Sequence, residues 1–433
     1  MVRSFGLDFG TTNTVLAKAQ DDGSVSSILF PFENQQSETL RTALCFSKPA
    51  NSQHRNHVDI AAGPHAIQHF IDDPWESRFL QSIKTFAASA IFTGTNIFSK
   101  QYQFEDLMEA FLTCAKTYAG SQLETLPERV VVGRPVTFAG ATPNEPLAMQ
   151  RYEAALRRFG FKEILYVYEP LAAAFFFALT ITKPTTVLVA DFGGGTTDFS
   201  IVKLGHDQGR LQAEPLAHGG IGIAGDHFDY RIIDHVLLPR LGKGSAYTSM
   251  GKTLMLPRSP FQSFARWNML SLLKASKEFQ ELKHLLRYCK EPGKIQSFID
   301  LVEDNQGYPL YKAVSEAKMR LSSDDSTTLK FPPLGQDFEV TITRRDFETW
   351  IARDLHKIET TLDDTLRKSG VAEKDIERVF LTGGTSFVPA VRNLFTKRFG
   401  APRVESGNEL ISIAQGLALI AERDDAKLWA VKS

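Results

Sequence analysis

Apolar residues alternate with polar ones around Phe5, Leu7, Val15 and Ala17, and this period of two predicts a β-hairpin over residues 2–18. From 46 to 65 the chain turns polar and rich in Pro and His, which predicts a loop or the edge of an inserted subdomain. Residues 104–118 carry apolar positions at helical spacing, and "RVVVGRP" (129–135) reads as a short buried strand stopped by proline. The period then switches repeatedly. "MQRYEAALRRFGF" is a helix ending at Gly160, "EILYVYEP" (163–170) a strand, "LAAAFFFAL" a helix, and 187–190 and 199–204 are strands. Residues 236–311 differ, with a Gly/Ser-containing loop followed by "RWNMLSLLKASKEFQELKHLLRYCK" (266–290). That segment reads as one amphipathic helix burying Leu270, Leu273, Phe279 and Leu286 in its own subdomain. Finally, "VFLTGGTS" (379–386) is a strand entering a Gly-Gly turn, and "ISIAQGLALIAER" (411–423) a closing helix. The alternation of strand and helix, with hairpins at two places, predicts an α/β protein with mixed sheets.

One pattern occurs twice. "GLDFGTTNTV" begins at Gly6 and "VADFGGGTTDFS" spans 189–200; each reads strand, Asp-Phe-Gly, small residues, strand. Consecutive small residues let backbone N–H groups converge into a concave anion site, and threonine hydroxyls add donors. An aspartate at the strand end cannot bind phosphate, because like charges repel, but it can hold a divalent cation through water. Asp8 with Gly10, Thr11 and Thr12 makes one such cradle; Asp191 with Gly193, Gly194, Gly195, Thr196 and Asp198 makes the other. A single copy would be read as turn geometry alone, whereas two copies led by aspartate favour a phosphate site. A third turn, "LTGGTSF" (381–387), would let a flat group lie against Gly383 and Gly384, which suits the nucleoside end of a nucleotide.

Two superficial matches fail. "DFG" lacks the catalytic loop and lysine strand of a protein kinase. "GSAYTSMGKT" (244–253) has six residues between its glycines where a Walker A loop has four, and reads as a surface loop. His65 and His69, four apart, lack a third metal ligand and read as surface residues, as do His54 and His57.

Bulk properties narrow the class. With 433 residues, two or three domains are expected, and 43% hydrophobic with 23% charged residues is a globular composition. The 49 basic and 50 acidic residues give no reason to expect nucleic acid or membrane as a partner. The 13-residue apolar run 170–182 is short of the ~20 residues of a spanning helix, and the N-terminus has no signal-peptide core. Three dispersed cysteines, Cys45, Cys114 and Cys289, suit buried thiols in a reducing cytoplasm.

These segments, taken with others in order, resemble the ATPase half of the seventy-kilodalton heat-shock (DnaK-type) chaperones within the actin-like ATPase superfamily, and most of all its short YegD-like members. The matching stretches are "GLDFGTTN", "IKTF" (83–86), "VVVGRP" (130–135), "YEPLAAA" (168–174), "DFGGGTTDFS", "AGDHFDYRII" (224–233), "EAKMRLSS" (316–323), "TITRRDFE" (341–348) and "TGGTSFVP" (382–389). The resemblance implies a two-lobed fold of duplicated ribonuclease-H-like lobes around a nucleotide cleft. Lobe I would be 1–190 with an inserted subdomain at about 40–125, and lobe II 191–433 with one at about 236–315. It implies slow Mg²⁺-dependent ATP hydrolysis in the cytoplasm, ATP/ADP and Mg²⁺ as cofactors with K⁺ as a further candidate, and a co-chaperone or exchange factor as partner to a monomer or weak oligomer.

By the same resemblance, Lys84, Glu169, Asp191 and Thr196 are catalytic, and Asp8, Asp191 and Asp198 hold the metal largely through water. Gly10, Thr11, Thr12, Asn13, Gly193, Gly194, Gly195, Thr196 and Thr197 face the phosphates. Gly225, Glu316, Lys318, Met319, Ser322, Gly383, Gly384, Thr385 and Phe387 face the nucleoside. The resemblance also implies that Pro135 would couple nucleotide state to the rest of the molecule. Ala172, Ala173 and Ala174, with Ala414 and Gly416, would let two helices approach closely at a hinge.

Two departures from the family pattern matter. Phe387 and Met319 stand where arginines are usual, and Ser315 takes the place of the ribose-gripping glutamate, which shifts to Glu316; an apolar sandwich for the base is the expectation. The last family element ends near Glu422, leaving 11 residues, so no peptide-binding domain is expected and "RDDAKLWAVKS" reads as a frayed end. Alternative functions are a nucleotide-gated regulator, an actin-like structural protein and a sugar-kinase-like phosphotransferase.

Overall fold

The computed structural model describes residues 4–20, 23–48, 58–140, 142–207, 210–266, 269–407 and 410–431. His54 and His57 lie outside them. The chain forms two compact units, Met1–Ala224 with Lys357–Ser433, and Gly225–His356.

The first unit contains two sheets with one plan. In the first, β1 (Ser4–Phe9) and β2 (Asn13–Ala19) form a hairpin extended by β3 (Val25–Ser27), while β4 (Arg129–Arg134) and β5 (Glu163–Tyr168) add in parallel, giving the order β5-β4-β1-β2-β3. The second comprises β6 (Thr185–Phe192), β7 (Thr197–Asp207), β8 (Arg210–Ile221), β9 (Arg378–Thr382) and β10 (Val404–Ser406), in the order β10-β9-β6-β7-β8 with the same parallel and antiparallel pairings. The central strands are buried on both faces. That is why β4 carries Val130, Val131 and Val132 in succession and β6 carries Val187, Leu188, Val189 and Ala190, all fully buried.

Four helices complete the frame of the site. On one face of the first sheet, α1 (Phe104–Ala119) and α2 (Glu145–Phe159) pack through aromatic edges, with Phe9 5.7 Å from Phe111 and 6.0 Å from Tyr152 between ring centroids. The other two, α3 (Glu169–Ala178) and α4 (Ser412–Ala421), cross between the sheets. Helix α3 follows the first sheet yet stacks Phe177 on Phe380 of the second, 4.0 Å apart. Helix α4 follows the second sheet yet lies on the first, where a Cβ at Gly6 would sit 2.3 Å from Ala414 O. The two helices touch backbone to backbone: a Cβ at Gly416 would be 1.8 Å from Ala172 O. Only glycine fits there. The small-residue helices do approach as closely as the sequence suggested.

The second unit is a smaller body of helices with two hairpins. Phe261, Phe264, Phe279 and Phe298 cluster in its core, and Tyr311 donates to Phe264 O (3.0 Å). The single helix expected over 266–290 is broken into Leu270–Leu273, Lys277–Leu285 and a short 3₁₀ turn, Leu286–Tyr288. Ser276 is the reason: its hydroxyl accepts from Phe279 N (3.2 Å), an N-cap that starts a new helix. Leu273, Phe279 and Leu282 are buried, whereas Leu270 and Leu286 are only half-buried.

Residues 244–253 are not a loop. Ala246–Ser249 pairs with Lys252–Met255, and the two-residue turn between them has positive φ at Met250 (48°) and Gly251 (75°). Nor is the tail frayed. A short helix, Ala426–Trp429, sets the Trp429 ring 4.8 Å from Phe175, and Val431 N donates to Tyr166 O (2.7 Å). His65 is also no plain surface residue, since it packs between Phe32 and Tyr118 on the helix Gly63–Asp72; His69 is exposed. All three cysteines are free, with Cys45 buried and the other two half-buried.

Candidate active site

The repeated motif ends up as two equivalent hairpin turns. Strand pairing stops at Phe9–Thr14 in one hairpin and at Phe192–Thr197 in the other, leaving four-residue turns, 10–13 and 193–196. By register, Gly10 corresponds to Gly193, Thr11 and Thr12 to Gly194 and Gly195, Asn13 to Thr196, and Val15 to Asp198. The two Thr-Thr pairs are therefore offset by two positions, in keeping with the two extra glycines that precede the second pair.

Each turn is pinned by a threonine from another element. The Thr42 hydroxyl donates to Gly10 O (2.8 Å) and shares a 2.9 Å hydrogen bond with the hydroxyl of Thr14. The Thr385 hydroxyl donates to Gly193 O (2.9 Å). Because a trans peptide directs its C=O and following N–H oppositely, tying back these carbonyls turns the N–H groups of Thr11 and Gly194 the other way. Thr197 takes no part in such a cradle, since it is fully buried and its hydroxyl donates to Ile223 O (2.7 Å).

The turns face each other. A Cβ at Gly195 would lie 3.1 Å from Thr11 Oγ1 and 3.5 Å from Ala139 Cβ. The third turn abuts the second: Gly383 has φ 80°, and a Cβ there would be 2.2 Å from Phe192 O. A Cβ at Gly384 would meet only Leu410 Cδ2, at 4.0 Å, and Phe387 is 54% exposed.

Around these turns stand four acids and one lysine. Lys84 comes from a 3₁₀ turn, Ile83–Phe86, and its Nζ is 2.7 Å from Glu169 Oε1, with both side chains buried. Glu169 opens helix α3, where a negative charge is favoured, and Gly133 makes room for it: a Cβ there would be 3.0 Å from Glu169 Cγ. Asp8 and Asp191 occupy matching positions at the ends of β1 and β6. Asp191 lies directly across the strand pair from Asp198, an arrangement that like charges disfavour. Asp198 Oδ1 accepts from Val136 N (2.8 Å) and Thr137 N (3.3 Å), the two amides after Pro135. Gly220 clears the space, since a Cβ there would be 2.3 Å from Asp198 Oδ1. The Asp198 Oδ2 atom is buried without a hydrogen-bond partner.

The electrostatics follow from this crowding. Burial, then the charge of Glu169, pushes Asp8 up to about 7 and Asp198 up to about 7. Asp191 is raised well above the usual carboxylate range by burial and then by Glu169, Asp8 and Asp198. Burial works against the charged amine of Lys84, but Glu169 and then Asp8 help hold it protonated. Lys84 in turn lowers all three aspartates. The site therefore gathers four carboxyl groups around one cation, and its aspartates hold their protons to higher pH than free carboxyl groups do. No group of three or more His, Cys, Asp or Glu side chains among the described residues is placed to hold a metal ion directly.

Several contributors lack an obvious sequence signal: Thr42, Tyr152, Gly133 and Gly220. Tyr152 is fully buried with its hydroxyl unpartnered, and its pKa is raised, by burial above all. Gly133 stood within "VVVGRP", but its need to be glycine comes from a helix 36 residues later in the chain (169 minus 133).

The remaining candidates belong to the second unit. Lys318, on the helix Gly307–Ser323, bonds Asp229 Oδ2 (2.8 Å) and Gly225 O (3.1 Å). Asp229 was not anticipated; it is buried, and its Oδ1 has no partner. Glu316 pairs with exposed Arg320, Ser322 is half-buried and Met319 is 61% exposed.

The Hsp70 protein family model matches residues 4–239 and 278–425. The chain belongs to the Hsp70 family. Curated relatives include the chaperone protein DnaK of Thermotoga petrophila and of Thermotoga maritima, each 27% identical over 96% of this chain, and that of Thermosipho melanesiensis, 26% identical over 96%. The chain spans 58% of the length of each. As an Hsp70 family member it has the actin-like ATPase fold, and the two sheets of one plan are the cores of its duplicated lobes. No helix among the described residues is long and apolar enough to cross a membrane.

Proposed function

We propose that this protein binds ATP with Mg²⁺ and hydrolyses it slowly, as a chaperone-type ATPase of the cytoplasm. The observation carrying this reading is the approach of two aspartate-led turns, Gly195 against Thr11, next to a buried Lys84–Glu169 pair. Backbone N–H groups of the two turns bind the phosphate tail, with Thr11, Thr12 and Thr196 adding hydroxyls. Lys84 offsets charge on the transferring phosphoryl group, and Glu169 both holds Lys84 and orients the attacking water. Hydrolysis of this kind needs positioning and charge neutralisation more than covalent help.

The acids fit a hydrated Mg²⁺. Three carboxyl groups, Asp8, Asp191 and Asp198, crowd one another with their pKa values raised, so a cation would displace their protons and relieve that crowding, and Asp198 keeps a buried oxygen without a partner. When bound, the ion supplies charge neutralisation on the phosphate oxygens. Asp8, Asp191 and Asp198 hold its water shell. Gly383 and Gly384 are the candidate nucleoside contacts of the first unit.

The test is steady-state ATP hydrolysis by the full chain, with and without Mg²⁺ and with and without an unfolded polypeptide. Mg²⁺-dependent phosphate release that rises with the polypeptide is the expected result. Release that ignores the polypeptide would make the protein a nucleotide-gated regulator, and no release would end the ATPase reading.

A further inference from the structure

The segment that follows Lys84 has neither α-helix nor strand to hold it. It is a run of single turns: Thr85 N donates to Ser82 O (3.0 Å), Ala87 N to Lys84 O (3.1 Å), Ser89 N to Phe86 O (3.2 Å) and Phe92 N to Ser89 O (3.2 Å). Carbonyl oxygens gathered in this way, away from water, need a donor to satisfy them. Arg151 of helix α2 supplies it. Its Nη1 donates to the carbonyls of Phe86 (2.8 Å), Ala87 (3.0 Å) and Ser89 (3.0 Å), and its Nη2 to that of Phe92 (2.6 Å). The residue is 9% exposed. A buried guanidinium with four backbone acceptors is a rigid fork that a lysine cannot copy.

Both ends of this segment are tied to the elements that build the first phosphate turn. At its start, Ser82 has φ 53°, and its N–H donates to Thr42 O (3.3 Å); Thr42 is the residue whose hydroxyl caps Gly10. At its end, Arg151 is followed by Tyr152, whose ring lies against Phe9, the neighbour of Asp8. Lys84 sits between these two anchors.

We propose that Arg151 is the positioning residue for Lys84: by gathering the carbonyls of 86–92 it fixes the turn that presents the lysine to the phosphate. This inference rests on the ATPase reading above. A misplacement of about 1 Å in a reacting group costs on the order of 100-fold in rate. Arg151 therefore acts on turnover and leaves ATP affinity alone.

The test uses the full chain carrying Arg151→Lys, alone and combined with Lys84→Ala. Three quantities are measured: single-turnover ATP hydrolysis, ATP affinity by calorimetry, and amide exchange of 84–92. The expected result is a rate about 10- to 100-fold lower with Kd within about twofold, and faster exchange over 84–92. In the Lys84→Ala background, adding Arg151→Lys should change the rate less than about twofold, because the lysine it positions is gone. A wild-type rate in Arg151→Lys overturns the proposal, as does a full multiplicative loss in the double variant. Should Arg151→Lys fail to fold, Arg151→Gln, which keeps two donors without the charge, is read by the same criteria. If the wild-type protein releases no phosphate, the proposed function fails, while unchanged amide exchange in the variant would separately refute the clamp.

Discussion

Removing the Lys84 ammonium while keeping its length, as in Lys84→Met, perturbs the centre of the charge cluster. In the native structure Nζ is 2.7 Å from Glu169 Oε1, with side-chain exposures of 7% and 4%. The substitution leaves Glu169 buried and unpaired and strips Asp8, Asp191 and Asp198 of the cation that lowers their pKa values. Breaking a buried pair from one side costs about 3–5 kcal/mol. Replacing both partners with neutral residues of similar shape removes the uncompensated charge, so Lys84→Met/Glu169→Gln should recover to within about 1–2 kcal/mol of wild type. Denaturant unfolding at pH 8 without nucleotide or Mg²⁺ measures this, since the carboxylates are then most fully ionised. Hydrolysis separates from stability: Lys84→Ala or Lys84→Met should lower turnover by about 100- to 1000-fold while ATP binding largely survives. A double variant as unstable as the single one would refute the electrostatic argument, and undiminished turnover would remove Lys84 from the chemistry.

Stability should also depend on pH in an unusual direction. Asp8 and Asp198 titrate near 7 in the folded protein against an ordinary value of 3.8, so the native state keeps protons that the unfolded chain has released. Their contribution is complete below about pH 4 and is lost as pH climbs through about 7. Melting in Mg²⁺-free buffer from pH 5 to 8 checks this, and Mg²⁺ with ATP should flatten the slope. Gly195→Val should weaken ATP binding at least about tenfold, because its methyls intrude where a Cβ alone would be 3.1 Å from Thr11 Oγ1; unchanged affinity by calorimetry would show that the turns do not grip one ligand. Gly416→Ala places a Cβ 1.8 Å from Ala172 O and should destabilise by about 3 kcal/mol or more, the upper range of overpacking, as read by denaturant unfolding.

Much of the frame was legible because burial on both faces leaves a distinct signature. The Val-rich runs of β4 and β6 and the aspartate at the end of each leading strand could be placed from the order of residues alone. Reading was poorer where a single local interaction overrides periodicity. Ser276 caps a helix inside a stretch with unbroken amphipathic spacing, and Met250–Gly251 takes up a hairpin turn within what looked like loop text. Trp429 looked like part of a frayed tail because its partner, Phe175, is 254 residues away (429 minus 175).

For this chain, sequence alone determined the duplicated strand-turn-strand units and the residue types at their tips, since turn chemistry and strand periodicity are local properties. Tertiary structure decided what those tips face. It brought Thr11 against Gly195, set Lys84 on Glu169 and enlisted Thr42, Thr385 and Arg151 as anchors. Each of these depends on packing between segments far apart in the chain, where distance, burial and charge are set by the fold and not by neighbours in sequence.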